Sequence, residues 1–180
     1  MSHLRRKPLR QRGAAMMEVL IAVLITAFGV LGFVGLQAQT ALSVVEGYQR
    51  AQALMLVNDM AERIRLNSAS AASYVGNDIG VASPGTCGTT PGAARDLCEW
   101  SYLIQGASEL KTGVTAGALA ATSARGCITN PSTNRYVIAL VWQGAQSSAA
   151  ATTACGLNAF SDEKLRRAVT TVVQVATLTL

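Results

Sequence analysis

Histidine is almost missing from this 180-residue chain: His3 is the only one, and it precedes every segment with structural promise. Beyond it the chain cannot assemble a Ser-His-Asp triad, a Cys-His pair or an ordinary histidine-bearing zinc site. The cysteines form no CxxC pair; Cys87, Cys98, Cys127 and Cys155 are spaced by 11, 29 and 28 residues, unlike a zinc finger. No phosphate-cradling glycine loop, nucleotide fingerprint or nucleic-acid motif is present. Asn130-Pro131-Ser132 is not an N-glycosylation acceptor, because proline holds its middle position. These absences argue against most enzymes and predict no cofactor, no metal and no nucleic-acid partner.

Acidic residues are missing from the first 13 positions, which carry Arg5, Arg6, Lys7, Arg10 and Arg12. Those five belong to a total of 15 basic residues, and the other ten balance ten acidic ones, so the formal charge of +5 resides in this leader. The basic balance therefore reports orientation. Clustered positive charge ahead of an apolar span holds the N-terminus in the cytoplasm and sends the rest of the chain across.

That span is there. Ala14 to Leu36 is 23 residues without proline and with one charge, Glu18, and about 20 apolar residues cross a ~30 Å hydrocarbon core as a helix. A conventional secretory signal has an apolar core of roughly 7–15 residues with its cleavage site behind it. Here the run is longer and the cleavage candidate lies in front. A plain uncleaved anchor accounts for the length and the basic flank but not for Glu18. An ionised carboxylate within a membrane helix costs roughly 2.5–3.5 kcal/mol, which makes Glu18 a functional residue by default.

Gly13, Ala14 and Glu18, with the run Met17-Glu18-Val19-Leu20-Ile21-Ala22, resemble the class III signal of type IV prepilins and type II secretion pseudopilins. The resemblance implies cleavage by a prepilin peptidase between Gly13 and Ala14, N-methylation of the new Ala14 amine, and an assembly role for Glu18. The family usually begins its mature chain with Phe or Met, where this chain has Ala14. Major pilins often carry a proline where Gly35 stands here, and by analogy helicity between Gly29 and Gly35 is open to local loss within a filament. Leu97-Cys98-Glu99-Trp100 and Leu140-Val141-Trp142-Gln143-Gly144 look similar to segments of PilV-type minor pilins.

On that resemblance the expected fold is α+β, the pilin fold, a long N-terminal helix on a C-terminal antiparallel sheet. The expected function is that of a non-enzymatic minor pilin in type IV pilus assembly and initiation, and so in motility or adhesion. Implied partners are other minor and major pilins, the prepilin peptidase, the inner-membrane assembly platform and a tip adhesin. The implied location is a single pass of the bacterial inner membrane with the C-terminus periplasmic, and the pilus at the cell surface. A minor pseudopilin of a type II secretion system shares signal and fold and is the alternative. A signal-anchored envelope enzyme is a second alternative, weakened by the lack of histidine.

Behind the apolar span, residues 37–66 contain no proline, and Ala53, Val57, Met60 and Ile64 recur at the spacing of one helical face. The helix is therefore expected to run from Ala14 to Leu66 and stop at Asn67-Ser68. That is about 80 Å at ~1.5 Å per residue. Gly29, Gly32, Gly35 and Gly47 interrupt it and are candidate sites of bending or close helix packing. The domain reading is a leader over 1–13, a membrane or filament-core helix over 14–36, its amphipathic continuation over 37–66 and a periplasmic globular domain over 67–180.

Within that domain residues 67–96 read as loop, with Ser83-Pro84-Gly85 and Thr90-Pro91-Gly92 as turns. Cys98, Trp100, Tyr102 and Ile104 alternate with polar residues and predict a half-buried strand over 98–105. Residues 106–124 are loop or short helix. Tyr136, Ile138, Leu140 and Trp142 predict a second strand, residues 143–154 a small-residue loop, and Arg166 to Leu180 a C-terminal strand. Trp100 and Trp142 are expected in the core, the sheet's large-residue face is covered by the Ala53–Ile64 stripe, and Asp162 to Arg167 form a solvated turn. Four cysteines in an oxidising compartment form two disulfides with three possible connectivities. Pairing in sequence order, Cys87 with Cys98 and Cys127 with Cys155, is expected, since the first closes a short loop worth roughly 3 kcal/mol.

Overall fold

The computed structural model describes residues 14–83, 85–106, 110–111, 114–115 and 117–176. The basic leader with Gly13, parts of 106–124 and the end of the expected C-terminal strand at 177–180 lie outside the described residues. The chain divides into two units, Met1–Ser43 and Val44–Leu180.

Helix α1 runs from Ala14 to Leu66, 53 residues, through all four glycines and ending at the expected stop. The stripe predicted from its second half is real. Ala53, Val57, Met60 and Ile64 are fully buried, joined by Leu56 and Ala61 and preceded by buried Gln49 and Gln52. These positions recur every three to four residues, which is one face of an α-helix. A short 3-10 segment, Ser68–Tyr74, follows.

The stripe packs against a four-stranded antiparallel sheet of order β1-β4-β5-β6. Its strands are β1 (Gly76–Ile79), β4 (Arg125–Ser132), β5 (Arg135–Gln143) and β6 (Arg166–Gln174). A separate two-stranded ribbon pairs β2 (Leu110–Lys111) with β3 (Val114–Thr115). β5 is central and pairs with β6 along its whole length, from Arg135↔Gln174 to Gln143↔Arg166. Period-two alternation sends Tyr136, Ile138, Leu140 and Trp142 into the core beneath α1. The opposite face of the same strand is also covered: Ala139 and Val141 pack with Cys127, Cys155 and Phe160 in a second, smaller cluster. The architecture is the expected α+β arrangement of a long helix on an antiparallel sheet.

The strand expected over 98–105 is instead helical: α2 spans Ala93–Ile104. Trp100 and Ile104 fit both periods, four residues apart and an even number apart. The helical set is the larger one, since buried Ala93, Trp100, Ser101 and Ile104 and part-buried Leu97 fall on a single helical face. Tyr102, assigned to the buried side of a strand, lies off that face and donates its hydroxyl to the Gly85 carbonyl at 2.5 Å. The expected loop over 67–96 likewise holds the 3-10 segment, β1 and the start of α2. Strand β4 had no sequence signal.

Trp100 is in the core as expected, with no exposed surface. Its indole Nε1 donates to the Leu56 carbonyl of α1 at 2.9 Å, and its ring lies over Gly126 of β4. A Cβ added at Gly126 would stand 2.3 Å from two ring atoms of Trp100, so close approach of α2 to the sheet requires glycine there. Gly126→Val is therefore expected to destabilise the fold by about 1–3 kcal/mol through overpacking. Chemical denaturation of the full chain in detergent, followed by Trp fluorescence, checks this; an unchanged midpoint contradicts it.

Candidate assembly surface

Every described residue of α1 from Met16 to Val45 is exposed, including Phe28, Leu31, Phe33 and Leu36. This helix is long and apolar enough to cross a membrane. Its hydroxyls are closed internally: Thr26 Oγ1 donates to the carbonyls of Ala22 and Val23, each at 2.9 Å, and Thr40 Oγ1 to Leu36 at 2.9 Å. Glu18 has no such closure. It is exposed, and no side chain among the described residues pairs with it.

Apolar exposure does not end where the globular unit begins. Val44, Tyr48, Leu54 and Met55 are exposed at 67%, 52%, 43% and 64% on the side of α1 turned away from the core. With Ala51, also exposed, the positions 44, 48, 51 and 55 follow helical spacing and form a second stripe. The same turns of α1 thus carry a buried stripe towards the sheet and an apolar stripe towards solvent.

Polar contacts fix this part of α1 to its unit. Glu46 accepts from the backbone amides of Ala145 and Gln146, each at 3.1 Å, and from Arg167 Nη2 at 3.3 Å. Gln49 Oε1 accepts from Trp142 Nε1 at 3.2 Å, which satisfies a buried indole of the core. At the far end Arg63 joins three carboxylates, Asp59 at 2.9 Å, Asp96 at 3.0 Å and Glu99 at 2.7 Å. Glu99 also accepts from Arg95 at 2.7 Å, and Asp96 from the Tyr74 hydroxyl. The cluster ties α1, α2 and the 3-10 segment together. Burial disfavours the Arg63 charge, but Glu99, Asp59 and Asp96 outweigh it and raise its pKa further above the ordinary arginine value.

The 144–165 segment is held by different means. Cys127 is joined to Cys155, with a Cα separation of 5.8 Å; the other bridge, Cys87 to Cys98 at 5.6 Å, ties the loop before α2 to that helix instead. Arg166 is not part of a solvated turn: its side chain is 2% exposed. It donates to Glu163 at 2.5 Å and to the carbonyls of Thr153 at 2.7 Å, Cys155 at 2.9 Å and Ala151 at 2.9 Å. The expected solvated turn survives only around Asp162, whose carboxylate accepts from the Lys164 amide at 2.9 Å as a helix cap.

Among the described residues no group of three or more His, Cys, Asp or Glu is arranged to hold a metal ion. Ala14 begins α1, and Gly13 lies outside the described residues. The exposed stripe over 44–55 escaped the sequence reading, although Val44, Tyr48, Ala51 and Met55 carry the same period as the buried stripe.

Residues 35–100 match a family model described as Tt1218-like, type IV pilin Tt1218. That match supports a type IV pilin. No curated protein and no solved structure gives a significant match. The matched stretch takes in the second half of α1, the 3-10 segment, β1 and most of α2, the part that carries the Arg63 cluster and both stripes.

Bonds from Arg63 and Arg95 hold the Glu99 carboxyl below its ordinary value near 4.5. A carboxyl lowered by folding contributes stability that is present above its unfolded pKa and lost as pH falls through the folded one. Glu99→Gln should therefore be less stable than the unmodified chain at pH 7, and the gap should close as pH falls below the lowered value. Denaturation midpoints of both full-length chains between pH 7 and pH 2 check this. A gap of constant size across the range contradicts it.

Proposed function

We propose that this chain is a minor pilin of a type IV pilus, a non-enzymatic, membrane-anchored subunit that takes part in pilus assembly and initiation and so in motility or adhesion. The observation that carries the reading is the exposed apolar length of α1 with a single charge, Glu18, in a helix whose other end is built into an α+β unit. The similarity of residues 35–100 to a type IV pilin family supports the same conclusion. The minor, PilV-type assignment rests on the 97–100 and 140–144 segments.

In this reading residues 1–13 are the cytoplasmic leader. Prepilin peptidase cuts between Gly13 and Ala14 and methylates the Ala14 amine, leaving α1 as a single inner-membrane pass with the C-terminus periplasmic. The partners are other pilins, the assembly platform and a tip adhesin. Glu18 lies four residues after Ala14, about 6 Å along the helix. At that depth its attraction to a cation is much stronger than in water. The positive end of its own helix offsets only part of the burial cost. The N-terminal amine of an adjacent pilin, brought alongside as two helices pack, completes the compensation and favours the correct stagger. The exposed stripe at 44, 48, 51 and 55 extends the apolar contact along the neighbour beyond the membrane-spanning turns.

Two measurements test the proposal. Intact-mass analysis of membrane protein should show a chain beginning at a methylated Ala14; one beginning at Met1, or cut after residue 36, rejects the prepilin reading. Glu18→Ala should reach the membrane and be processed normally, yet be depleted from sheared filaments; incorporation at the unmodified level removes the assembly role. A minor pseudopilin would instead give normal surface filaments and lost secretion on deletion.

A further inference from the structure

A cleft of about 590 Å³ lies on the face of the sheet opposite α1, lined by Asn77 and Asp78 of β1, Arg125 and Thr129 of β4, and the segment from Thr153 to Ala159. Its wall is fixed. The Cys127–Cys155 bridge anchors that segment to the sheet, and Arg166 holds the carbonyls of Thr153 and Cys155 from behind.

Two arginines contact this wall, and they are used very differently. Arg166 is nearly enclosed, with a carboxylate and three carbonyls around its guanidinium. Arg125 is largely buried too, its side chain 14% exposed, with the guanidinium carbon 5.3 Å from the Phe160 ring centroid. It nevertheless makes one polar contact, from Nη1 to Asp78 at 3.2 Å, and its buried Nε has no acceptor among the described residues. A guanidinium offers five N–H donors in a planar fork suited to carboxylates, and most of that capacity is unspent. Asp78 makes a weak claim on it. Its side chain is 60% exposed, and its backbone sits at φ +55°, in an irregular stretch of the β1–β4 pairing.

We propose that this cleft is a carboxylate-binding site in which Arg125 is the recognition residue and Asp78 is a built-in competitor that an incoming carboxylate displaces. Thr129, Thr153, Asn77 and Asn158 around it supply hydroxyl and amide groups for the polar backbone of a peptide carrying that carboxylate. The carboxylate chemistry stands on the cleft alone.

The test uses the full chain in detergent, with NMR detection of the Arg125 side-chain N–H groups and the Gly156 and Asn158 amides. The probes are acetate, a tripeptide with central glutamate and blocked ends, and its glutamine counterpart. The glutamate peptide should shift these signals saturably and the glutamine peptide should not. Asp78→Asn removes the competing charge while keeping a residue type at home at positive φ, and should tighten binding about fivefold, the effect of one unit charge near 4 Å in water. Arg125→Gln, checked for an intact amide spectrum, should abolish binding. Glutamate-peptide affinity well above that of acetate identifies a peptide as the source, and equal affinity identifies a free small carboxylate. Equal response to the glutamine peptide, or unchanged affinity in Asp78→Asn, overturns the proposal.

Discussion

Ala53, Val57, Met60 and Ile64 have no exposed surface, and the unit from Val44 onward is arranged around keeping them covered. The sheet alone does not suffice. Its large face of Tyr136, Ile138, Leu140 and Trp142 meets the stripe, while α2 brings Trp100 and Ile104 in beside it. The approach of α2 is possible only because Gly126 leaves room for the indole. The two indole N–H groups at this junction are satisfied in place, Trp100 by the Leu56 carbonyl and Trp142 by Gln49. An unpaired buried N–H would cost about 1–3 kcal/mol, so both contacts protect the packing they accompany.

Charged groups divide the remaining work by location. Arg63 gathers carboxylates from its own helix and from α2 at the end of α1. Glu46 gathers amides and Arg167 nearer the start of the unit. The buried stripe begins between these two points and ends at Ile64, one residue past Arg63, so the helix is held to its unit at both ends of the contact. Arg166 and the Cys127–Cys155 bridge do the equivalent for the 144–165 segment, which has little regular structure of its own and covers the other face of β5.

Legibility in the sequence followed how local each signal was. The α1 stripe and β5 could be read because their periods, 3.6 and 2, are carried by large apolar residues within one short window. α2 was misread because Trp100 and Ile104 satisfy both periods, and only Ala93, Leu97 and Ser101 break the tie. β4 was invisible: Arg125 to Ser132 contains Gly126, Asn130 and Pro131, and its strand character comes from pairing with β5, where Ile128 lies opposite Ile138 and Cys127 opposite Ala139. Pro131 is tolerated where that register shifts, between Thr129 and Ser132. Arg166 looked like a surface charge because the carbonyls that enclose it lie 11 to 15 residues away along the chain. Glu18 draws notice for the opposite reason, since a single carboxylate in an apolar run stands out without any tertiary context, and its assembly role belongs to the proposal.

The two units place different demands on one helix. In Val44–Leu66 each small residue on the buried side has a neighbour. In the apolar turns, a methyl group added at Gly29, Gly32 or Gly35 would meet no atom within 4 Å. Each glycine costs roughly 1 kcal/mol against alanine inside a helix, and nothing among the described residues uses the space they leave. Their spacing of three puts them close to one side of α1, where small residues let a second helix approach closely. On the pilin reading this explains both oddities of the segment together. Close approach of a neighbouring helix is what the glycines permit, and it is also what brings a neighbour's amine within reach of Glu18.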